Sequence, residues 1–189
     1  MNLAQTHGFY AAKRTEGESS TTYATPSKVC TAAEIGVAYT KSPQKIHESG
    51  AVVLDRAYIS DAKVTLNTHT MPLATLMDMI FSLPAPDTGE GYEIGADTDA
   101  ANAYAIGWPE LLSDGTYLCT WFYKAVATPP DESYKTANES GYQLDPSAIE
   151  FSCVRDQHSG LMRRQQIVAN AAAVTTFFAS VTPTEGGGT

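Results

Sequence analysis

The sequence predicts a mainly β (α+β) domain: an antiparallel sandwich or partial barrel with one flanking α-helix at about residues 71–83 and long polar loops. Three observations predict it. Short runs rich in β-branched and aromatic residues alternate between apolar and polar positions. Clusters of Gly, Pro, Asn, Asp and Ser separate those runs. A single segment carries an apolar stripe at helical spacing.

The first element is the short strand GFYAAKR, followed by the polar, turn-rich TEGESSTTYATPS. AAEIGVAYT alternates, with Ile35, Val37 and Tyr39 on one face and Glu34, Gly36 and Ala38 on the other. KSPQKIHESGA reads as an excursion, either a flexible loop or the tip of a long hairpin. The chain returns as AVVLDRAYISDAKVTLNTHT, a strand with a break near Ser60-Asp61. Beyond the break Ala62, Val64, Leu66 and Thr68 share one face, and Asp61, Lys63, Thr65 and Asn67 the other, the mark of a half-buried antiparallel strand.

The helix follows in THTMPLATLMDMIFSLPAP. Thr70 is placed to cap it, Pro72 falls in the first turn where its missing N–H costs nothing, and Pro84 and Pro86 end it. Leu73, Leu76, Met77, Ile80 and Phe81 form the stripe that packs on the sheet. Residues 85–100 carry Asp87, Glu90, Glu93, Asp97 and Asp99 with no basic residue, an exposed acidic loop.

ANAYAIGWPELL is a strand interrupted by Pro109. The longest strand runs through DGTYLCTWFYKAVATPP, with Tyr117, Cys119, Trp121, Tyr123 and Ala125 expected on one face. Leu118, Thr120, Phe122, Lys124 and Val126 fall on the other, so both faces are largely apolar and both need cover. SAIEFSCVR places Ile149, Phe151 and Cys153 together, GLMRRQQIVAN is a last strand, and SVTPTEGGGT is a flexible end. The expected division is one domain over 1–170 and a C-terminal arm or flexible tail over 171–189.

Chemistry is absent from these motifs. A net charge of −9 opposes nucleic-acid phosphates and anionic membranes. No apolar run reaches the 18 residues of a spanning helix, and MNLAQTHGFY lacks the basic and apolar regions of a signal peptide. Cys30, Cys119 and Cys153 have neither zinc nor disulfide spacing, which points to a reducing cytoplasm. GEGYEIG is acidic and lacks the lysine of a phosphate loop, and DTDAAN lacks the glycine and distal glutamate of a calcium loop. His7, His47, His69 and His158 are scattered, no GxSxG elbow exists, and Arg163-Arg164 suits acidic neighbours better than phosphate. The expectation is no catalytic, metal or cofactor-binding residue, hence no enzyme and no cofactor.

The order of GFYAAKR, TYATPSKV, AAEIGVAYTKSP, DAKVTLNTHTMPLATLMDMIF, YAIGWPELLSDGTYLCTWFYKAVATPP and LDPSAIEFSCVRD resembles the major tail tube proteins of long-tailed bacteriophages with flexible tails, the phi13-type major tail proteins. The resemblance spans roughly residues 8–165; Ala24 stands where the family's turn has glycine, and the acidic 85–100 segment has no counterpart. It implies a tail-tube-type β-sandwich with a flanking helix, in which six copies close into a ring. Rings would stack into a helical tube that conducts genomic DNA without specific binding, its inner sheets joined as a barrel. Implied partners are further copies of the chain, a tape-measure protein, a tail terminator and a distal tail protein, with no membrane. The implied location is the virion tail, assembled in the host bacterial cytoplasm. On that reading Lys41, Ser42, Pro43, Gln44, Lys45, Ile46, His47, Glu48, Ser49 and Gly50 are expected at inter-ring contacts. The alternatives are a related ring-forming tube or tail terminator protein, or a carbohydrate-binding β-sandwich using Trp108 and Trp121 as a stacking platform.

Overall fold

The computed structural model describes residues 8–32, 34–48, 51–68, 73–83, 102–128 and 147–183. In chain order the elements are β1 (Phe9–Glu16), β2 (Thr21–Tyr23), β3 (Ser27–Cys30), β4 (Glu34–Glu48), β5 (Ala51–Thr68) and α1 (Leu73–Phe81). They continue as β6 (Ala103–Leu111), β7 (Tyr117–Thr128), β8 (Ser147–Val154), β9 (Arg163–Val168) and α2 (Ala171–Phe177). All the pairings are antiparallel, so the fold is mainly β. Predicted features at Thr70, Pro72, Pro84 and Pro86, and the acidic segment 85–100, lie outside the described residues.

One open sheet runs β2-β1-β6-β7-β8-β5-β4, with β3 on β1 and β9 on β7. Two of its lanes are broken strands. β2 pairs with Arg14–Glu16 of β1 and β3 with Phe9–Ala11, interrupted between them at Pro26. Likewise β9 pairs with Tyr117–Phe122 of β7 and β8 with Lys124–Thr128, joined by the 155–162 loop. β3 lies at one margin of the sheet and β4 at the other, yet only residues 31–33 connect them. Such a link spans about 14 Å at most, so the sheet must curl until its margins approach at that corner. The Thr68 hydroxyl donates to the Thr31 carbonyl across it at 3.3 Å.

Curling gives the sheet a concave and a convex side, each with its own cluster. The larger contains Phe9, Val64, Leu66, Ile106, Trp108, Phe122, Ile149, Phe151 and Cys153, with Met79 and Ile80 of α1. The smaller contains Ala105, Cys119, Trp121 and Tyr123, covered by Val174 and Phe178 from the α2 segment and by Val181. The second apolar face of β7 is therefore covered from within the same chain, by the C-terminal helix.

Four expectations need correction. Tyr104 faces Ala125 while Ile106 faces Phe122, so β7 carries one extra residue there, a β-bulge that reverses its alternation. Ala125 consequently joins Phe122 in the larger cluster instead of Trp121 and Tyr123 in the smaller. Pro109 does not interrupt β6: it sits opposite Cys119, beyond Gly107 where pairing with β1 ends, so no ladder bond on that side asks for its N–H. Of the two readings of the C-terminus, arm or flexible tail, residues 171–181 do not fit the second, because Val174 of α2 and its successors Phe178 and Val181 are buried on β7 and its neighbours. Finally, among the described residues Arg163 and Arg164 pair with rings and oxygen acceptors and with no acid. Arg163 lies over Tyr39 and donates to its hydroxyl, and Arg164 lies over Phe177 and donates to the Thr182 carbonyl.

Candidate functional site

The most unusual feature is the β4–β5 hairpin. It holds fifteen registered pairs, from Glu34↔Asn67 to Glu48↔Ala51. β8 flanks β5 only from Ala62 to Thr68. The eight outer pairs, Lys41↔Ile59 to Glu48↔Ala51, therefore have no third strand among the described residues. They form a two-stranded ribbon of roughly 26 Å at about 3.3 Å per residue. A lone two-stranded ribbon is at best marginally stable in water.

Its composition is not that of a solvated loop. The β5 half reads AVVLDRAYI, and at its base Tyr58 and Ile59 are 47% and 38% exposed. Lys41, Lys45 and Arg56 against Glu48 and Asp55 give the ribbon a charge of +1 in a chain of −9, leaving −10 for the remainder. The outer margin of β4 has no ladder partner among the described residues, so its backbone donors and acceptors are open to a further strand.

The root of the ribbon is an irregularity. Thr40 pairs with Asp61 but Lys41 with Ile59, leaving Ser60 as an extra residue on β5. The single Ser60 hydroxyl hydrogen is shared between the Asp61 carboxylate at 2.8 Å and the Thr40 carbonyl at 3.4 Å. Hydrogen bonds from the Thr40 and Ser60 side hold the Asp61 carboxyl below its ordinary range. Arg155, just past β8, donates to the Ile59 carbonyl at 3.5 Å. A second shift, Ile46↔Leu54 then His47↔Val52, leaves Val53 unopposed.

Of the residues expected at contacts, Lys41, Ser42, Pro43, Gln44, Lys45, Ile46, His47 and Glu48 lie in the β4 half of this ribbon. Ser49 and Gly50 lie outside the described residues. The partner half, Ala51–Ile59, was read as the returning strand but was not among the residues expected at contacts. Its signal was available: an apolar run longer than the alternating strand it precedes, separated from it by the break at Ser60-Asp61.

Other clusters serve the fold. Asp156 is 1% exposed and receives the Arg14 guanidinium at 2.6 Å, the Thr21 hydroxyl at 2.9 Å and both the amide and hydroxyl of Ser159 at 2.8 Å. Burial raises its carboxyl, but the bonds from Ser159, Arg14 and Thr21 outweigh burial and hold it far below the usual carboxylate range. The cluster fastens the 155–162 loop to β1 and β2. Between α1 and the β1–β3 corner lies an open groove of about 390 Å³ that includes Lys13 and Tyr104. Asp78 at its rim accepts from Lys13 at 3.0 Å, from Asn102 at 3.3 Å and from the Tyr104 hydroxyl, so its carboxylate is already engaged within the fold.

The thiols are buried, and burial pushes Cys119 up to about 11 and Cys153 up to about 12, the opposite of a nucleophile. Among the described residues no group of three or more His, Cys, Asp or Glu could hold a metal ion, and no helix is long and apolar enough to cross a membrane. Trp108 and Trp121, at 6% and 2% exposed, present no ring face to a sugar.

What fold and site define together is a curled, mainly β domain with a two-stranded ribbon that has no third strand among the described residues. Compared with known proteins, the chain matches no family model and no curated protein.

Proposed function

We propose that this chain is a structural subunit of a self-assembling tube, of the major tail tube type suggested by the motif order. Six copies close into a ring, rings stack, and the stack conducts phage DNA out of the particle. The observation that carries the reading is the ribbon: eight strand pairs without a third strand among the described residues, with the exposed Tyr58 and Ile59 at its base. Such an element gains stability only by docking, and a second copy is the partner that every subunit of a homopolymer has. Lys41–Gly50 then lie at ring-to-ring contacts, with the β5 half beside them. The open margin of β4 suits strand addition between subunits. Net negative charge suits a conduit for DNA, because like charge lowers affinity for the passing phosphates. Tape-measure, terminator and distal tail proteins would cap and fill the stack.

The test is negative-stain electron microscopy with light scattering on the purified chain over rising concentration. Rings or tubes of uniform width are expected. A monodisperse monomer at the highest concentrations would overturn the reading. Replacing residues 42–58 by a two-residue Asn-Gly turn is expected to leave a soluble, folded subunit that no longer polymerises.

A further inference from the structure

We infer that the Ser60 bulge sets the direction in which the ribbon meets a second copy of this chain, and so fixes the geometry of the assembly. The inference rests on the tube reading and goes beyond it by assigning assembly geometry to one backbone feature.

Four observations carry it. First, the bulge falls at the boundary between sheet and ribbon: Asp61 opposes Thr40 inside, Ile59 opposes Lys41 outside, and Ser60 opposes nothing. A bulge bends its strand and increases the local twist, so the ribbon leaves along a different line from the strands that anchor it. Second, the bend is pinned on both sides. Ser60 bonds Thr40 across the hairpin and Asp61 along it, and Arg155 holds the Ile59 carbonyl from the end of β8. Third, the side chains just outside the bend, Tyr58 and Ile59, are large, apolar and exposed, so the bend decides where a docking surface points. Fourth, strand side chains alternate with a period of two, so the extra residue keeps Ile59 and Tyr58 on the faces of their partners Lys41 and Ser42, and a residue added on β4 at this point reverses the faces of everything beyond it.

The occupant is a second copy and not an unrelated protein because of charge. The ribbon carries +1 and the remainder of the chain −10, so the body of a neighbouring copy is the complementary surface present in every preparation of this protein.

The full-length chain is tested in three forms beside the wild type: deletion of Ser60, insertion of one alanine between Thr40 and Lys41, and Ser60→Ala. Deletion and insertion each remove the bulge, one from either strand, while the register of Ala62–Thr68 with β8 is untouched. Ser60→Ala keeps the backbone and loses only the hydroxyl pins, so it provides a folded protein whatever the other two do. Circular dichroism and urea midpoints establish folding, and electron microscopy reads the assemblies.

The expectation is that wild type forms tubes of one width. Any folded bulge-less variant forms none or forms assemblies of altered width or helical repeat, and Ser60→Ala broadens the width distribution at least twofold. Wild-type tubes with unchanged width and repeat in every folded variant would overturn the inference while leaving the tube reading intact. Absence of any wild-type assembly would overturn both.

Discussion

Arg14 and Asp156 show how one buried pair fastens the start of a loop whose end, Leu161 and Met162, packs on the two clusters. Both members of the pair are almost fully buried, and Arg14 also reaches Glu16 at 2.5 Å, which Lys124 approaches at 3.4 Å. A buried pair of this kind adds little over an apolar pair of equal volume, but removing one member strands the other. Arg14→Met is therefore expected to cost about 3–5 kcal/mol in urea unfolding. Asp156→Ala should fall near the lower end, about 3 kcal/mol, since Arg14 keeps Glu16. The pH dependence follows from the direction of the shift. The folded carboxyl of Asp156 lies below its unfolded value of about 3.9, so its contribution is complete above that value and is lost as pH falls beneath it. Urea midpoints measured from pH 6 to pH 2.5 should drop steeply in the wild type below about pH 4 and less steeply in Asp156→Asn. Gly107 makes a steric argument at the same scale. A Cβ there would sit 2.5 Å from the Thr120 carbonyl oxygen and 2.6 Å from the Trp121 ring. Gly107→Ala should destabilise by about 1–3 kcal/mol, because the obstacle is backbone and a buried indole, not a flexible side-chain end.

At the level of elements, α2 is where sequence and structure part most clearly. The segment NAAAVTTFF had a readable start: Asn170 caps the helix, its side-chain oxygen accepting the Ala173 amide at 3.0 Å. What hid it was length. Seven residues hold too few apolar positions to declare a period, and the apolar residues that matter, Phe178 and Val181, come after the helix ends. The helix exists because β7 has a bare aromatic face to cover, and Phe178 stacks on Tyr10 at 4.3 Å and against Trp121 at 5.0 Å. Tertiary contact creates it, which local pattern cannot report. Phe178→Ala is accordingly expected to cost about 3–5 kcal/mol and Asn170→Ala about 1 kcal/mol, both read from thermal or urea unfolding. Where one face of a strand was solvated the sequence was legible, as in Ala62–Thr68 and Ile149–Cys153, whose alternation the structure reproduces. Bulges were less so. The break at Ser60-Asp61 was visible because two small polar residues interrupt an apolar run. The bulge in β7 was not, because aromatic and apolar residues continue unbroken on both faces through Tyr123 and Ala125. The first half of the candidate site was readable as a polar excursion, either a flexible loop or a hairpin tip, and the pairing with β5 decides for the hairpin although Pro43 and Lys45 are poor strand formers.

For the molecule as a whole, the proposed assembly sets charge against docking, and their balance is measurable. Each copy carries −9 overall, so two copies repel at long range, while the +1 ribbon is drawn to the −10 body only at contact. The repulsion involves every charge on the subunit, and the attraction involves five residues, so repulsion governs the encounter. Screening shortens the reach of both terms from about 30 Å at 0.01 M salt to about 8 Å at 0.15 M. It removes the long-range repulsion almost entirely, and it weakens less the apolar contacts that hold a docked ribbon. Raising sodium chloride from 10 to 150 mM is therefore expected to lower the concentration at which assemblies appear in light scattering. Lys41→Glu with Lys45→Glu and Arg56→Glu should raise that threshold at both salts, because the ribbon then repels the body it must meet. A threshold that rises with salt in the wild type would instead mean that charge attraction, not apolar ribbon surface, drives the copies together. The same triple variant would then fail to assemble at low salt, where the wild type assembles best.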